Sequence, residues 1–245
     1  MNDKVRLNKY IGASGFCSRR KADEWIAAGK VSVNGKPADM GMRVNEDDEV
    51  VVAGKIIKPC ENKKIVAFYK PEGFACTSHR GDASAIFANF PLDKDLKYIG
   101  RLDKDSEGLL LLTNDGDLCN EVAKARNMHE KEYLVTVNKT VTKEFLDEMA
   151  GGVPIYDANR DRQVVTRPCV VKKQDAKSFT IILTQGYNRQ IRRMCEYFEY
   201  RVTKLSRIRV MNVTLGDLKP GQIRELTLEE VDKLRKLVSG SKGKK

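Results

Sequence analysis

The sequence predicts an α+β protein: a small N-terminal α/β unit, then a larger unit on a mostly antiparallel sheet with flanking helices. Three observations carry this. Leu109-Leu110-Leu111-Leu112 is short, wholly apolar and closed by the turn signal Asn114-Asp115-Gly116, which reads as a buried strand. Several segments show helical spacing with recognisable caps and stops. Strands and helices follow one another without strict alternation, which favours an antiparallel rather than a doubly wound sheet.

The first unit is expected over residues 1–60. Leu7, Tyr10 and Ile11 fall on one helical face that Gly15 ends. Ser18 is a good N-cap for a second helix whose Ala22, Trp25 and Ile26 repeat the spacing, with Gly29 as its stop. Val31 and Val33 alternate into Asn34-Gly35, a hairpin turn, and Val50-Val51-Val52 reads as a further strand. Pro59 to Lys64 is polar and basic, and reads as a linker.

The second unit is expected over residues 61–238. Ile65 to Tyr69 is β-prone and stops at Lys70-Pro71, because proline cannot donate to a ladder; Glu72-Gly73 completes a turn. After the leucine strand, Asp117 to Ala125 reads as a helix and Glu130 to Val137 as a strand. Thr142 caps a helix through Met149 that Gly151-Gly152 stops. Val164 to Val171 and Ser178 to Thr184 read as paired strands. Asn188 is placed as the cap of a helix with Ile191, Met194, Cys195 and Phe198 on one face and Arg189, Arg192 and Arg193 on the other. Val202 to Leu215 reads as one strand of alternating cations and apolar residues. Thr227-Leu228-Glu229-Glu230 is a capping box opening the last helix. The basic tail 239–245 reads as disordered.

A chain of 245 residues that is 41% apolar can bury a core and bounds the architecture to one or two domains. Its net charge of +11, from 45 Lys and Arg against 34 Asp and Glu, favours a polyanionic partner. No apolar run approaches membrane-spanning length, and Met1-Asn2-Asp3-Lys4 does not begin a signal peptide. The expectation is a cytoplasmic, monomeric nucleic-acid binder with no membrane association. The six cysteines are scattered without a C-x-x-C pair, and the only histidines are His79 and His129, so no metal site is expected. Without a Walker loop or G-x-G-x-x-G, no cofactor is expected. In the first unit, Arg6 and Lys9 lie one helical turn apart, while Arg19, Arg20 and Lys21 open the second helix. Cations there oppose the macrodipole and are tolerable where a phosphate binds.

The loop from Tyr98 to Gly108 crowds Asp103, Asp105 and Glu107 with Arg101 and Lys104 beside the buried strand. Three readings compete. It is a solvated turn with local ion pairs. Or it is a calcium loop, since Asp103, Asp105, Glu107 and Gly108 imitate EF-hand positions, although Asn114 stands where a bidentate Glu belongs and a strand replaces the exiting helix. Or one carboxylate, held charged by a nearby Arg, is a nucleophile or base.

Gly100-Arg101-Leu102-Asp103 with Ser106-Glu107-Gly108-Leu109-Leu110 resembles the signature loop of pseudouridine synthases, nearest the RsuA/RluB/RluF branch that acts on ribosomal RNA. Further motifs stand in the order of that branch. They are an S4-like start (Arg6-Leu7-Asn8-Lys9-Tyr10, Ser18-Arg19-Arg20-Lys21-Ala22), Lys70-Pro71-Glu72-Gly73, Lys131-Glu132-Tyr133-Leu134-Val135, and Gly186 through Met194. Residues 129–137 and 186–213 look most like the F-type, large-subunit members. The resemblance implies isomerisation of a uridine in structured RNA, such as a 23S ribosomal stem-loop, without metal or cofactor. It implies that Asp103 acts at C1′ of the ribose, Arg192 keeps Asp103 ionised, and Tyr133 stacks on the uracil. It further implies that Arg101 fills the gap left by the flipped base and that Arg6, Lys9, Arg19, Arg20, Lys21, Arg189 and Arg193 hold RNA. The rivals are a non-catalytic S4-type RNA-binding or ribosome-assembly protein, a synthase acting on transfer RNA or small-subunit RNA, and a metal-dependent nuclease using Asp103, Asp105 and Glu107.

Overall fold

The computed structural model describes residues 4–60, 62–77, 81–123, 127–158 and 160–240. His79, the expected helix end at Ala125 and the tail after Gly240 lie outside the described residues. The chain divides into two compact units: Met1–Lys64 with Thr113–Gly116, and Ile65–Leu112 with Asp117–Lys245.

The first unit contains β1 (Val5–Arg6), α1 (Leu7–Ala13), α2 (Arg19–Ala27), β2 (Val31–Val33), β3 (Lys36–Pro37), β4 (Arg43–Val44), β5 (Val50–Val52) and β6 (Lys55–Ile57). The apolar stripes of both helices close on the inward residues of the small β3-β2-β5-β6 sheet, burying Leu7, Tyr10, Ile11, Ile26, Val31 and Val50. The Ser18 hydroxyl caps α2 by accepting from the Lys21 amide at 3.2 Å. The Arg19 stem lies across Gly12 of α1, where a Cβ would come within 2.9 Å of its Cγ.

The second unit contains β7 (Ile65–Lys70), α3 (Ile86–Asn89), β8 (Lys97–Ile99), β9 (Glu107–Thr113), α4 (Gly116–Ala123), β10 (Lys131–Val137) and α5 (Lys143–Gly151). There follow β11 (Pro154–Asp157), β12 (Arg162–Val165), β13 (Val170–Lys173), β14 (Ser178–Leu183), α6 (Gln190–Tyr197), β15 (Val202–Val210), β16 (Val213–Thr214), β17 (Ile223–Glu225) and α7 (Leu228–Gly240). One large sheet runs in the order β13-β14-β10-β15-β9-β7-β17. The pairs β13–β14, β14–β10, β10–β15 and β7–β17 are antiparallel, and β9–β15 is parallel. The leucine run is wholly apolar because β9 is covered on both faces. Leu109 and Leu111 meet Leu118 and Val122 of α4 and Leu234 and Val238 of α7, while Leu110 and Leu112 meet Phe68 and Ile86. A second core gathers α5 and α6 over Val135, Phe179 and Ile181.

Three sequence expectations are corrected. Val164 to Val171 is not one strand. Residues 166–169 break it at Pro168, which lacks an amide hydrogen, so β12 pairs with β11 and only β13 pairs with β14. Val202 to Leu215 is a hairpin, because Met211 turns the chain in a left-handed conformation (φ 53°) and Val213 returns to pair with Val210. Asn188 does not cap α6. Arg189 holds that position at φ 51°, the Gln190 side chain reaches back to accept from the Tyr187 amide at 3.1 Å, and the Asn188 oxygen accepts from Arg193 instead.

Gly108 leaves no room for a side chain. Its φ is 104°, and a Cβ there would lie 2.4 Å from the Arg207 carbonyl oxygen across the parallel β9–β15 pair. Gly100 has φ 72° but open space around it. Gly108→Ala is therefore expected to lower unfolding free energy by about 3 kcal/mol or more, strain plus collision. Gly100→Ala should lower it by about 1 kcal/mol, strain alone. Denaturant melts of both variants check this; equal losses would mean that the strands separate freely at Gly108.

Candidate active site

The segment from Gly100 to Ser106 joins β8 to β9, and donors from elsewhere in the second unit grip main-chain carbonyls of this segment and of the start of β9. The Gly73 amide donates to the Lys104 oxygen at 2.8 Å. Lys70, wholly buried at the end of β7, donates from Nζ to the Ser106 oxygen at 2.5 Å and the Pro71 oxygen at 2.7 Å. Arg192 of α6 donates from Nη2 to the Asp105 oxygen at 2.5 Å, and Arg207 of β15 from Nε to the Leu109 oxygen at 2.7 Å and from Nη1 to the Arg101 oxygen at 3.4 Å. Burial pushes the Lys70 amine below its ordinary value, and nearby groups, the Asp105 and Asp103 carboxylates among them, oppose that shift.

The three carboxylates of the loop go to separate surroundings. Asp105 takes Arg189 Nη1 at 2.7 Å and Arg192 Nε at 3.3 Å. Glu107 accepts from the Tyr69 hydroxyl at 2.9 Å and pairs with Lys204 at 3.1 Å. Asp103 takes no hydrogen bond or ion pair on its carboxylate among the described residues. It lines a cavity of about 450 Å³ together with Arg101, Lys131, Tyr133, Gln185 and Arg207. No ion pair joins Arg192 to Asp103 among the described residues. Arg192 is 9% exposed, braced between Asp105 and the Val202 carbonyl at 3.2 Å, so it stands behind the loop and off the exposed helical face assigned to it. Among the described residues no three His, Cys, Asp or Glu side chains group as a metal shell would.

The β10–β15 register sets the cavity wall. Tyr133 pairs with Arg207 and Glu132 with Arg209, so Ile208 is an extra residue on β15. Such a bulge re-aims neighbouring side chains. Lys131, Tyr133 and Arg207 line the cavity, while Arg209 meets Glu132 at 2.7 Å. Burial, and then the Arg207 guanidinium, push the Lys131 amine down to about 8.

The other expected RNA contacts are spread over the surface. Arg6, Arg19 and Arg20 are exposed, Lys9 is half-buried, and Lys21 pairs with Glu24 at 2.7 Å one turn along α2. Arg101 is exposed at the cavity. Arg189 is committed to Asp105, and Arg193 to the Tyr156 carbonyl and the Asn188 side chain. Sequence reasoning named Lys70 and Lys131 only as parts of motifs, without these contacts, and missed Gln185 and Arg207. The signal for Arg207 was parity: it shares the inward phase of Leu205 in β15.

Known proteins share both the motifs and the fold. Residues 64–197 match the family model described as RNA pseudouridylate synthase, and residues 5–50 match the S4 domain. The chain is 50% identical to the dual-specificity RNA pseudouridine synthase RluF of Salmonella typhi, over 97% of this chain and 81% of that protein. It is 34% identical to the ribosomal large subunit pseudouridine synthase B of Bacillus subtilis, over 97% of this chain and 98% of that protein. A crystal structure of a pseudouridylate synthase superposes with a TM-score of 0.68 at 28% identity, over 94% of this chain and 99% of that one. Among the described residues no helix is long and apolar enough to cross a membrane.

The lowered Lys131 amine makes a signed prediction. Between about 8 and its ordinary 10.5 the unfolded chain binds a proton that the folded chain does not. Its contribution to stability therefore rises with pH across that window and is flat below it. Unfolding free energies measured across the window should rise less in Lys131→Met than in the wild type. Equal pH slopes in the two proteins would contradict the lowered amine.

Proposed function

Because the chain belongs to the RNA pseudouridylate synthase family, we propose that it isomerises a uridine of large-subunit ribosomal RNA, with Asp103 acting at the sugar. The observation that supports Asp103 is its unpaired carboxylate at the cavity, beside two loop carboxylates that are both neutralised. A nucleophile or base must be free of strong partners to reach a reacting atom.

In this reading the C1′–N1 bond breaks with its electron pair staying on N1. Asp103 either attacks C1′ or removes the C2′ proton. The uracil turns and C5 bonds to C1′ as the Asp103–C1′ ester bond breaks or, in the second route, as C2′ takes its proton back from Asp103; the C5 proton then leaves and N1 gains one. Tyr133 offers its ring to the uracil from the cavity wall. The uridine must leave its stack to arrive there, and the exposed Arg101 guanidinium fills the gap. Arg192 acts one step back, holding the loop through Asp105 and so placing Asp103.

Residues 1–60 hold the RNA through phosphates and residues 61–238 carry out the chemistry, in a monomer working in the cytoplasm where ribosomal RNA is found. The large-subunit assignment leans on the Bacillus subtilis relative. The words dual-specificity in the Salmonella typhi relative's name favour a second RNA class, for which a transfer RNA stem-loop is the candidate.

Asp103→Asn should reduce pseudouridine formation in a ribosomal RNA transcript to background while RNA binding and melting temperature stay near wild type. A fully active Asp103→Asn protein with an inactive but folded Asp105→Asn protein would transfer the role to Asp105. Reversing Arg19 and Arg20 to Glu should weaken RNA binding at low salt and flatten its salt dependence, by about one unit of slope for each phosphate no longer neutralised. An unchanged slope would make that face a solvated one.

A further inference from the structure

Three cavity-lining residues are more than nine-tenths buried and carry hydrogen-bonding atoms that have no partner among the described residues: Arg207 Nη2, Gln185 Nε2 and Ser106 Oγ. An orphaned polar atom in the interior is costly, so three along one cavity imply that something polar completes them. Arg207 is the extreme case. It is 1% exposed, its Nε and Nη1 are fixed by the Leu109 and Arg101 carbonyls, and it has no carboxylate partner among the described residues. Its third nitrogen is therefore a rigidly positioned donor on an uncompensated charge. Arg207 is the cross-strand partner of Tyr133 on one side and of Gly108 on the other, so it sits between the aromatic wall and the signature strand. Gln185 lies in the turn between β14 and α6, on the segment that leads to Arg189.

We propose that Arg207 and Gln185 read the hydrogen-bonding edge of the target uracil: the Gln185 amide meets N3–H and one carbonyl oxygen, and Arg207 Nη2 donates to the other carbonyl. This rests on the reading of the cavity as the reaction site. Uracil presents acceptor, donor, acceptor along that edge. A side-chain amide supplies a donor and an acceptor side by side, and the guanidinium supplies the remaining donor. The charge adds a second effect. When C1′–N1 breaks, the electron pair left on N1 spreads onto both carbonyl oxygens of the base. A buried, preorganised cation at one of them stabilises that anion more than it stabilises the intact nucleoside. The two residues thus select the base and hold it as an anion while it turns.

The test uses the full-length protein and two matched RNAs, with uridine or 3-methyluridine at the target. Single-turnover rates at saturating protein and RNA dissociation constants are measured for wild type, Gln185→Leu and Arg207→Lys. For Gln185→Leu the uridine rate should fall about 10- to 100-fold with an unchanged dissociation constant. The wild-type penalty for 3-methyluridine should shrink by a similar factor, because the lost partner and the lost N3–H are the same bond. Equal loss on both RNAs would overturn the Gln185 contact. Arg207→Lys should lower the uridine rate without moving the dissociation constant and keep the full 3-methyluridine penalty. A rise in the dissociation constant with a flatter salt slope would instead make Arg207 a phosphate contact and overturn its role. If Arg207→Lys fails to fold, the Gln185 cycle decides. Should Asp103→Asn remain active, the cavity itself is misassigned; an inactive Asp103→Asn with additive cycles removes the edge reading alone.

Discussion

Buried cations bonded to main-chain carbonyls set the shape of the signature loop, and the rest of the second unit is arranged to supply them. Lys70 arrives from the end of β7, Arg192 from α6 and Arg207 from β15, and together they hold the carbonyls of Arg101, Asp105, Ser106 and Leu109. A hydrogen bond from a charged donor contributes about 1.5–3 kcal/mol, and removing its partner leaves a buried charge uncompensated. The loop is thereby fixed before any substrate arrives, which is the condition for a side chain to wait at a reacting atom. Lys70-Pro71-Glu72-Gly73 belongs to this clamp: the lysine and the Gly73 amide grip the loop, and Pro71 ends the strand that carries them.

The same arrangement sets the electrostatics. Carbonyls satisfy hydrogen bonds without cancelling charge, so Arg207 remains a net cation at the cavity, where it adds to burial in lowering the Lys131 amine. Asp105 absorbs Arg189 and Arg192, leaving Asp103 two residues away in a positive surrounding without a direct ion pair. A carboxylate in such a place has no contact that would block its approach to a reacting atom. The sign of this local field matches that of the whole chain, whose net charge of +11 draws a polyanion.

Much of this was legible in the sequence, and the failures have physical causes. Elements fixed by local rules came through: the Ser18 cap, the Thr227–Glu230 capping box, the leucine strand and the Thr142 cap each depend on residues near one another in the chain. Long-range features did not. Val164 to Val171 has one composition but is shared between two sheets, a choice made by distant partners and by Pro168. Arg192 was placed on an exposed basic stripe with Arg189 and Arg193, yet it is buried, because a loop 87 residues away supplies its acceptors. Arg207 was absorbed into a pattern of alternating cations. Counting by two from Leu205 places it inward, but only the parallel neighbour β9 shows what it holds.

That this cavity remakes a glycosidic bond through carbon is tested most directly with transcripts of ribosomal RNA whose uridines carry tritium at C5. Joining C5 to C1′ expels the hydrogen at C5, so the wild-type protein should release one tritium to water per target uridine, leave the strand uncut and need no added metal. Stoichiometric binding without release, or strand cleavage without release, would contradict the isomerisation.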